Sequence, residues 1–232
     1  MSQYCIKPTY KHRTVNATLE EKPGQYWDKN RFLLSHYCQY AAYQYAQKEI
    51  IQNKRIQSVL DVGCGLGDKL VELLTPHAKT LGIDQPSAII EARKLHPTQA
   101  FDSDDFENPT DKLGQFDFIL SIDVIEHLLN PDLLCHYIKK RSRPQTQILI
   151  STPERDLYRG KDCNQSPKAE HVREWNQAEF NAYLSQHFTI TEHLLLPAFK
   201  VGWTPYMIKE RYQLFKKRIP MKYCQAVLCT PK

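Results

Sequence analysis

Short apolar segments alternate with segments of helical periodicity along the middle of the chain. Runs such as Ser58–Val62 and Phe116–Ile122 are typical of strands that are buried on both faces. The pattern predicts five strands, at residues 58–62, 80–83, 99–101, 116–122 and 147–151. Helices are predicted between them, at residues 69–74 and 87–95 and from about residue 124. Because strands that alternate with helices are joined by right-handed crossovers, this order predicts an α/β fold: a mostly parallel sheet with helices on both faces.

Both ends of the chain extend this core. Residues 1–25 are polar and irregular and are expected to form an N-terminal arm, and residues 26–232 a single domain. Residues 26–52 have helical spacing and are rich in tyrosine, so this helix either packs on the sheet or forms a lid over a ligand. A lid-like insertion is expected at about 153–180. The pattern then predicts a helix at 177–184 and two last strands at 188–195 and 223–228.

Composition narrows the class of protein. The 232 residues are 41% hydrophobic and 25% charged, as in ordinary globular domains. No apolar run approaches the roughly 20 residues of a membrane-spanning helix, and no membrane partner is expected. Seven cysteines without a CxxC pair, and an N-terminus without the apolar block of a signal peptide, predict a cytoplasmic location. The net charge of +5 is mild, and the basic residues from Lys209 to Lys222 are interpreted as a solvated helix face or loop.

Three glycines fall within five residues directly after the first predicted strand, at Gly63, Gly65 and Gly67. Glycine there permits a tight turn and a close approach of the backbone to a ligand. A dinucleotide fingerprint would need a small residue where this chain has Asp68, whose carboxylate suits a pyrophosphate poorly. Asp84, at the end of the second strand, can accept both hydroxyls of a ribose or can instead cap the next helix. The pattern therefore favours a nucleoside without a phosphate chain.

Four segments together resemble successive motifs of the class I S-adenosylmethionine-dependent methyltransferases. They are Val59–Gly67, Gly82–Asp84, Asp105–Glu107 and Phe116–Leu128, and the resemblance covers roughly residues 56–155. It implies a Rossmann-like fold with a seven-stranded sheet, S-adenosylmethionine as cofactor and S-adenosylhomocysteine as product. His171–Trp175 is similar to the region after the fifth strand of many members, and is expected to cross the strand ends where an acceptor enters.

The resemblance also implies roles for individual residues. Asp61 and the backbone of Gly63, Cys64, Gly65 and Gly67 would hold the amino-acid end of the cofactor. Asp84, with Gln85 beside it, would bind the ribose hydroxyls. Asp105 would bind the adenine amino group, in preference to Asp102 or Asp104, and Phe106 would lie against the ring. Ile122 and Asp123 would line the methionine and methyl end. Such an acidic set favours a sulfonium cation over its neutral product.

Asp123, Glu126 and His127 are candidates for the chemistry, because offsets of three and four residues place them on one face of a helix. Three interpretations are open. Asp123 and Glu126 can form a capping box with His127 as a neighbour. His127, with His171 and Glu126, can act in general base catalysis on a hydroxyl acceptor. Asp123, Glu126, His127 and His171 can also hold a divalent metal, as similar clusters do in some relatives, but no metal is predicted here.

The sequence therefore predicts a methyltransferase that methylates an oxygen of a small-molecule or glycan-type acceptor. Basic residues Arg155, Arg159 and Lys161 near the expected acceptor entrance favour an acceptor with a carboxylate or phosphate. An RNA methyltransferase that uses the basic C-terminal residues is less favoured, since no RNA-binding module accompanies the core. A non-catalytic cofactor-binding scaffold and a nicotinamide-dependent reductase remain as further alternatives, and the oligomeric state stays open.

Overall fold

One seven-stranded sheet organises the residues that the computed structural model describes, which are 3–15, 37–105, 109–110, 112–200 and 202–232. The strands are β1 Ser58–Val62, β2 Lys79–Asp84, β3 Phe101–Ser103, β4 Phe116–Ile122, β5 Ser142–Pro153, β6 Phe188–Pro197 and β7 Lys222–Pro231. Their order in the sheet is β3-β2-β1-β4-β5-β7-β6. Strands β1 to β5 are parallel, and β7 is antiparallel to both of its neighbours, so the sheet is mostly parallel as predicted.

Helices cover both faces of this sheet, because successive strand residues point to opposite sides. The helices are α1 Tyr40–Gln52, α2 Pro86–Leu95, α3 Pro131–Lys140, α4 Arg155–Arg159, α5 Gln177–His187 and α6 Pro205–Lys216. On one face of the sheet, Leu60, Ile119 and Ile148 pack in a core with α3 and α5. On the other face, Val59, Phe118 and Leu149 pack with α1 and α2. A π-helical turn, Leu70–Leu74, takes the place of the helix predicted after the glycines.

Two predicted helices differ from the structure. The helix predicted from residue 26 begins only at Tyr40, after the left-handed Gln39 (φ 65°), and residues 16–36 lie outside the described residues. The helix predicted from about residue 124 is a single 3-10 turn at Ile125–His127, followed by α3. The helix does not continue because Asp123 has a left-handed φ of 54° and Asn130 caps a new helix that begins at Pro131.

The predicted strands are confirmed, with shifted ends. The third was predicted at 99–101 but is Phe101–Ser103, because the side chain of Gln99 binds the carbonyl of Thr80 instead of continuing the strand. Strand β5 begins five residues earlier than predicted, at Ser142, which pairs with Phe116 before a bulge. Of the described helices, none is long and apolar enough to cross a membrane.

The described part of the N-terminal arm, residues 3–15, packs against the segment between α4 and α5. The Tyr10 hydroxyl accepts hydrogen bonds from the amides of Ser166 and Glu174 (3.1 and 3.0 Å), and the Trp175 indole donates to the Tyr4 carbonyl (2.9 Å). These contacts hold the segment that includes His171 to the body of the domain. The expected arm boundary at residue 25 lies outside the described residues.

Candidate active site

A cavity of about 1230 Å³ opens at the carboxyl ends of β1, β2 and β4. Parallel sheets place ligands at this edge, where the strand order reverses, and here β1 lies between β2 and β4. The volume exceeds the range of about 300–1,000 Å³ that is usual for a single ligand site. It is therefore large enough for a cofactor and an acceptor side by side.

The glycine turn forms one wall of the cavity, and its conformation requires glycine. Gly63 and Gly67 have φ values of 84° and 80°. A Cβ atom on Gly63 would lie 2.3 Å from Cγ2 of Val124, and one on Gly67 would lie 2.4 Å from the ring of Phe101. Gly65 and Cys64 line the cavity between them. Tight packing against Val124 and Phe101 thus leaves no room for a side chain at Gly63 or Gly67.

Asp84 and Gln85 line the same wall from the end of β2. The Asp84 Oδ2 atom accepts a hydrogen bond from the Gly65 amide (2.8 Å) and Oδ1 accepts one from the Gln85 amide (2.7 Å). Burial raises the pKa of the Asp84 carboxyl, while those two hydrogen bonds act to lower it. The capping alternative is wrong, because the N-cap of α2 is Gln85 and has no side-chain cap. Each oxygen of Asp84 keeps a second lone pair for a ligand hydroxyl.

Asp61 lies in β1 but does not line the cavity. It is fully buried, its Oδ2 atom accepts a hydrogen bond from the Tyr43 hydroxyl (2.8 Å), and its Oδ1 atom has no hydrogen-bond partner among the described residues. Burial raises the pKa of Asp61 to about 7, although Tyr43 and the charge of Lys69 oppose the shift. A buried carboxyl with an unsatisfied oxygen is costly, so this one fits a cationic or hydrogen-bonding group nearby.

Lys69 is a site residue that the sequence analysis missed. It is buried, lines the cavity, and lies 5.4 Å from the ring centre of Tyr43. Burial lowers its pKa, while the charges of Asp61, Asp68 and Asp123 act to raise it. An ammonium in this position could bind the carboxylate of an amino-acid group. The only signal in the sequence was its place two residues after the last glycine of the turn.

Three acidic residues near the end of β3 have different environments. Asp104 has a buried side chain that accepts hydrogen bonds from Tyr137 (2.8 Å) and Arg141 (3.3 Å), and Asp102 pairs with Arg93 at 3.8 Å. Asp105 is exposed and lines the cavity. Asp104 also lines the cavity, but Tyr137 and Arg141 already engage its carboxylate, and the preference for Asp105 as an adenine contact stays a prediction. Phe106 lies outside the described residues.

Ile122 and Asp123 line the cavity at the end of β4. The capping box predicted for Asp123 and Glu126 is wrong: the turn after them has Val124 at its N-cap and no side-chain cap. Instead, Asp123 Oδ1 accepts a hydrogen bond from the Ser151 hydroxyl (2.7 Å) and its amide donates to the Ser151 carbonyl (3.1 Å). With this left-handed backbone, the carboxylate of Asp123 is held by a hydrogen bond from Ser151 on the neighbouring strand β5.

His127 and His171 both line the cavity and meet edge to face, with ring centres 4.8 Å apart. The Nδ1 atom of His127 lies 2.8 Å from the carbonyl oxygen of Glu170. Because a carbonyl can only accept, Nδ1 must be the protonated nitrogen, and Nε2 is the basic one when the ring is neutral. The Nδ1 atom of His171 is similarly held, 2.6 Å from Oε1 of Glu174.

Glu174 was not found from the sequence, although it lies three residues after His171. It is fully buried and also accepts hydrogen bonds from Arg159 (3.2 and 3.1 Å) and Ser166 (2.8 Å). Burial acts to raise its pKa, but the hydrogen bonds and charges of His171 and Arg159 lower it to about 2. Glu174 is therefore ionised at neutral pH. Burial lowers the pKa of His171, which favours a neutral ring with a basic Nε2.

The basic residues expected to attract an acidic acceptor are engaged within the protein. Arg155 is buried and pairs with Glu179 (2.6 Å) and Asp156 (2.9 Å), and Arg159 pairs with Glu174 (3.1 Å). That expectation is wrong for these two arginines, because internal carboxylates already neutralise them. Trp175 is likewise fully buried in the core beside Phe180, at a ring distance of 5.6 Å.

Glu126, His127 and His171 could hold a metal ion, since one ligand atom from each lies within 4.8 Å of the others. Both imidazoles have Nδ1 bound to an acceptor, the arrangement that orients histidines toward a metal. Glu126 is fully buried, its Oε2 atom accepts from the Thr152 hydroxyl (3.1 Å), and burial together with the charge of Asp123 raises its pKa well above the ordinary value. The expectation that no metal binds stays a prediction.

Aromatic side chains form the wall of the cavity next to this cluster. Tyr158 stacks on Tyr223 with ring centres 4.1 Å apart and planes at 7°. Phe199 meets Tyr223 edge-on at 6.0 Å, and Tyr206 of α6 continues the wall. These residues come from α4, α6, β7 and the loop after β6, so no sequence spacing indicated that they lie together.

Known proteins share both the sequence pattern and the fold. A family model described as "Methyltransferase domain" matches residues 26–194. The ubiquinone biosynthesis O-methyltransferase of Bartonella bacilliformis is 33% identical over 102 residues, which are 42% of this chain and 41% of that protein. The chain thus matches about two-fifths of the length of such relatives.

Solved structures agree on the fold. The plantazolicin methyltransferase BpumL, in complex with SAH, superposes with a TM-score of 0.57 at 21% identity and covers 83% of both chains. The [4+2]-cyclase SpnF superposes with a TM-score of 0.59 at 14% identity, over 81% of both chains. At these identities the likeness shows the fold alone.

The fold and the site define a Rossmann-like protein with a cavity beside its glycine turn, at the edge of the sheet where such folds bind ligands. Since the family model spans most of the chain, the chain belongs to the class I S-adenosylmethionine-dependent methyltransferases. The cofactor of this family is S-adenosylmethionine.

Proposed function

We propose that this chain transfers a methyl group from S-adenosylmethionine to an oxygen atom of a small-molecule or glycan-type acceptor. The observation that carries the proposal is one continuous cavity. Its lining includes the glycine turn and Asp84, which fit the cofactor, and also the imidazoles of His127 and His171. The relatives are named O-methyltransferases, and this name also favours oxygen as the methylated atom. A cytoplasmic location remains part of the proposal.

The cavity wall offers a matching group for each part of the cofactor. Asp84 would accept the ribose hydroxyls, Asp105 the adenine amino group, and Lys69 would bind the carboxylate of the methionine part. The glycine turn would hold its amino group, with the charge of Asp61 acting from a buried position outside the cavity lining, and Ile122 and Asp123 would line the methyl end. When bound, the cofactor supplies an electrophilic methyl group on a sulfonium that is already a good leaving group. The protein's task is then mainly alignment.

Removal of a proton from the acceptor hydroxyl is the task we assign to the histidines. When the rings of His127 and His171 are neutral, Nε2 is the basic nitrogen, because their Nδ1 atoms donate to the Glu170 carbonyl and the Glu174 carboxylate. Glu174 remains ionised and stabilises the imidazolium that forms at His171, and it fixes the orientation of the ring. General base catalysis of this kind contributes roughly 10²–10⁴ to the rate.

The aromatic wall indicates what kind of acceptor fits. Tyr158, Tyr223, Phe199 and Tyr206 offer ring faces and edges on which a flat or weakly polar ring can pack. Such a wall favours a ring-containing acceptor, and none of these four side chains carries a positive charge that would bind a nucleic-acid backbone. An RNA acceptor is therefore the weaker candidate. A non-catalytic scaffold also stays open, because the protein named a [4+2]-cyclase has the same fold.

A screen for methyl transfer tests the proposal. S-Adenosylmethionine labelled in its methyl group is incubated with the protein and with catechols, phenols, free sugars and a short RNA. Labelled ether products are expected from a ring-containing hydroxyl acceptor, with loss of about 10²-fold or more in His127→Ala and His171→Ala. His136→Ala, an exposed histidine on α3, is the matched control and keeps full activity.

Two results would change the conclusion. Label on RNA alone, or no label on any acceptor while cofactor still binds, would contradict O-methylation of a small acceptor. Activity that is lost on treatment with a chelator and restored by a divalent ion would assign Glu126, His127 and His171 to a metal instead of to direct proton transfer.

A further inference from the structure

Helix α6 exposes a stripe of large apolar side chains. Ile208, Tyr212 and Phe215 are spaced four and three residues apart, which places them on one face of the helix. Their exposed fractions are 50%, 61% and 82%, and Trp203, just before the helix, is 82% exposed. The opposite side of α6 packs inward through Met207 and Leu214. We name these four exposed residues the α6 outer face: Trp203, Ile208, Tyr212 and Phe215.

Basic residues surround the α6 outer face. Residues 203–222 include six Lys or Arg side chains and one acidic residue, Glu210, which lines the cavity. Taking this segment away leaves 25 basic and 25 acidic residues, so the whole net charge of +5 arises here. The guanidinium of Arg211 lies 5.0 Å from the ring centre of Trp203. The basic side chains are Lys209, Arg211, Lys216, Lys217, Arg218 and Lys222.

We propose that α6 docks this protein on an anionic lipid surface, with the outer face in the interface and the basic side chains among the headgroups. A helix with phenylalanine and isoleucine on one face, a tryptophan just before it, and lysine and arginine around it resembles interfacial membrane helices. Exposed apolar patches of this kind mark interaction sites on folded proteins. From the sequence alone, the basic residues are interpreted as a solvated face or loop and no membrane partner is expected. The exposed aromatic side chains between them change that interpretation.

The charge of the patch decides between the possible occupants. A second copy of this chain would bring two equally positive faces together, which disfavours self-association. A nucleic-acid backbone would match the charge but would leave Ile208 and Phe215 without a suitable partner. An anionic bilayer matches both features at once. The inference stands independently of the proposed function, and docking would bring the cavity wall formed by Tyr206 and Glu210 close to the membrane.

Vesicle flotation tests the proposal with the full chain. Vesicles of phosphatidylcholine alone, and of phosphatidylcholine with phosphatidylglycerol, are mixed with the protein at low and high salt. Binding is expected only to the anionic vesicles and is expected to weaken with salt. Phe215→Ser should reduce the binding constant roughly tenfold, and Lys216→Glu with Lys217→Glu should reduce it about tenfold or more. Circular dichroism confirms that each variant is folded.

Matched variants elsewhere on the surface complete the test. Ile90→Ser removes an isoleucine on α2 that is 54% exposed, and Lys48→Glu with Lys54→Glu reverses two exposed charges near α1; both should leave binding unchanged. Failure to bind either vesicle, or equal losses in the control variants, would overturn the proposal. So would a dimer in sedimentation, or an RNA complex, that is weakened by Phe215→Ser while vesicles are not bound.

Discussion

The amide of Gly65 donates a 2.8 Å hydrogen bond to Oδ2 of Asp84. This contact joins the glycine turn after β1 to the acidic residue at the end of β2, so the two parts of the expected cofactor site hold each other in place. The amide of Gln85 binds the other oxygen (2.7 Å), and the carboxylate is therefore oriented before any ligand arrives. Preorganisation of this kind lowers the cost of binding.

Asp84→Asn should weaken the binding of S-adenosylmethionine. The amide keeps the shape of the carboxylate but replaces an acceptor oxygen by a donor, so at least one charged hydrogen bond to the ribose is lost. The expected loss is about tenfold to a hundredfold in the dissociation constant, measured by titration calorimetry. Asp102→Asn, outside the cavity and paired with Arg93, is the control and should bind normally. Unchanged affinity in Asp84→Asn would place the ribose elsewhere.

Asp104 and Asp105 should respond oppositely to the same substitution. Asp104→Asn breaks a buried pair with Arg141 and should lower the free energy of unfolding by about 3–5 kcal/mol. Asp105→Asn should leave stability nearly unchanged and should weaken cofactor binding about tenfold. Urea unfolding and calorimetry on the two variants separate these effects. If Asp105→Asn binds the cofactor as tightly as the wild type, the adenine contact assigned to Asp105 is wrong.

Glu174→Gln should lower the turnover number more than it affects cofactor binding. It removes the charge that orients His171, and the expected loss in kcat is about tenfold or more, with KM for S-adenosylmethionine unchanged. Glu179→Gln is a closely matched control, since Glu179 also pairs with a buried arginine, Arg155, but does not contact His171. That variant should lose stability and keep its turnover number. Equal losses of turnover in both variants would show that Glu174 has only a structural role.

Asp61 should make the stability of the ligand-free protein depend on pH. Burial raises its pKa to about 7 in the folded state, against roughly 3.9 when unfolded. Between these values the folded state binds the extra proton, so the stability that Asp61 contributes is fully present below about pH 4 and is lost as pH rises toward 7. In urea unfolding from pH 5 to pH 8, Asp61→Asn should remove this part of the slope. Parallel profiles for wild type and variant would show that Asp61 is ionised throughout.

Local patterns predicted the sheet well, because its strands are apolar runs bounded by turn residues. Ser58–Val62 and Phe116–Ile122 coincide with β1 and β4, and the glycines between β1 and the next turn are where the sequence placed a ligand. The helix expected from residue 124 failed because Asp123 adopts a left-handed φ and binds Ser151 on the neighbouring strand. That contact spans 28 residues of sequence and leaves no mark in local spacing.

The site residues that the sequence did not predict were missed for the same reason: their contacts are between distant segments of the chain. Lys69 looked like an ordinary helix residue until its burial beside Tyr43 was seen. The aromatic wall assembles Tyr158 and Tyr223 from distant segments. Glu174 could have been suspected from its three-residue offset to His171, but its ion pair with Arg159 depends on the fold. The residues that the sequence motifs identified are those whose proposed roles depend on the backbone near the end of a single strand.

Thermal unfolding with ligands tests the central claim most directly. The protein is heated alone and with S-adenosylmethionine, S-adenosylhomocysteine or NAD, each at about 100 times its dissociation constant where it binds. Binding should add roughly 2.7 kcal/mol and raise Tm by about 5–10 °C. The account predicts this shift with the two adenosyl ligands, no shift with NAD, and its loss in Asp84→Ala. A shift with NAD alone, or with none of the three, would contradict it.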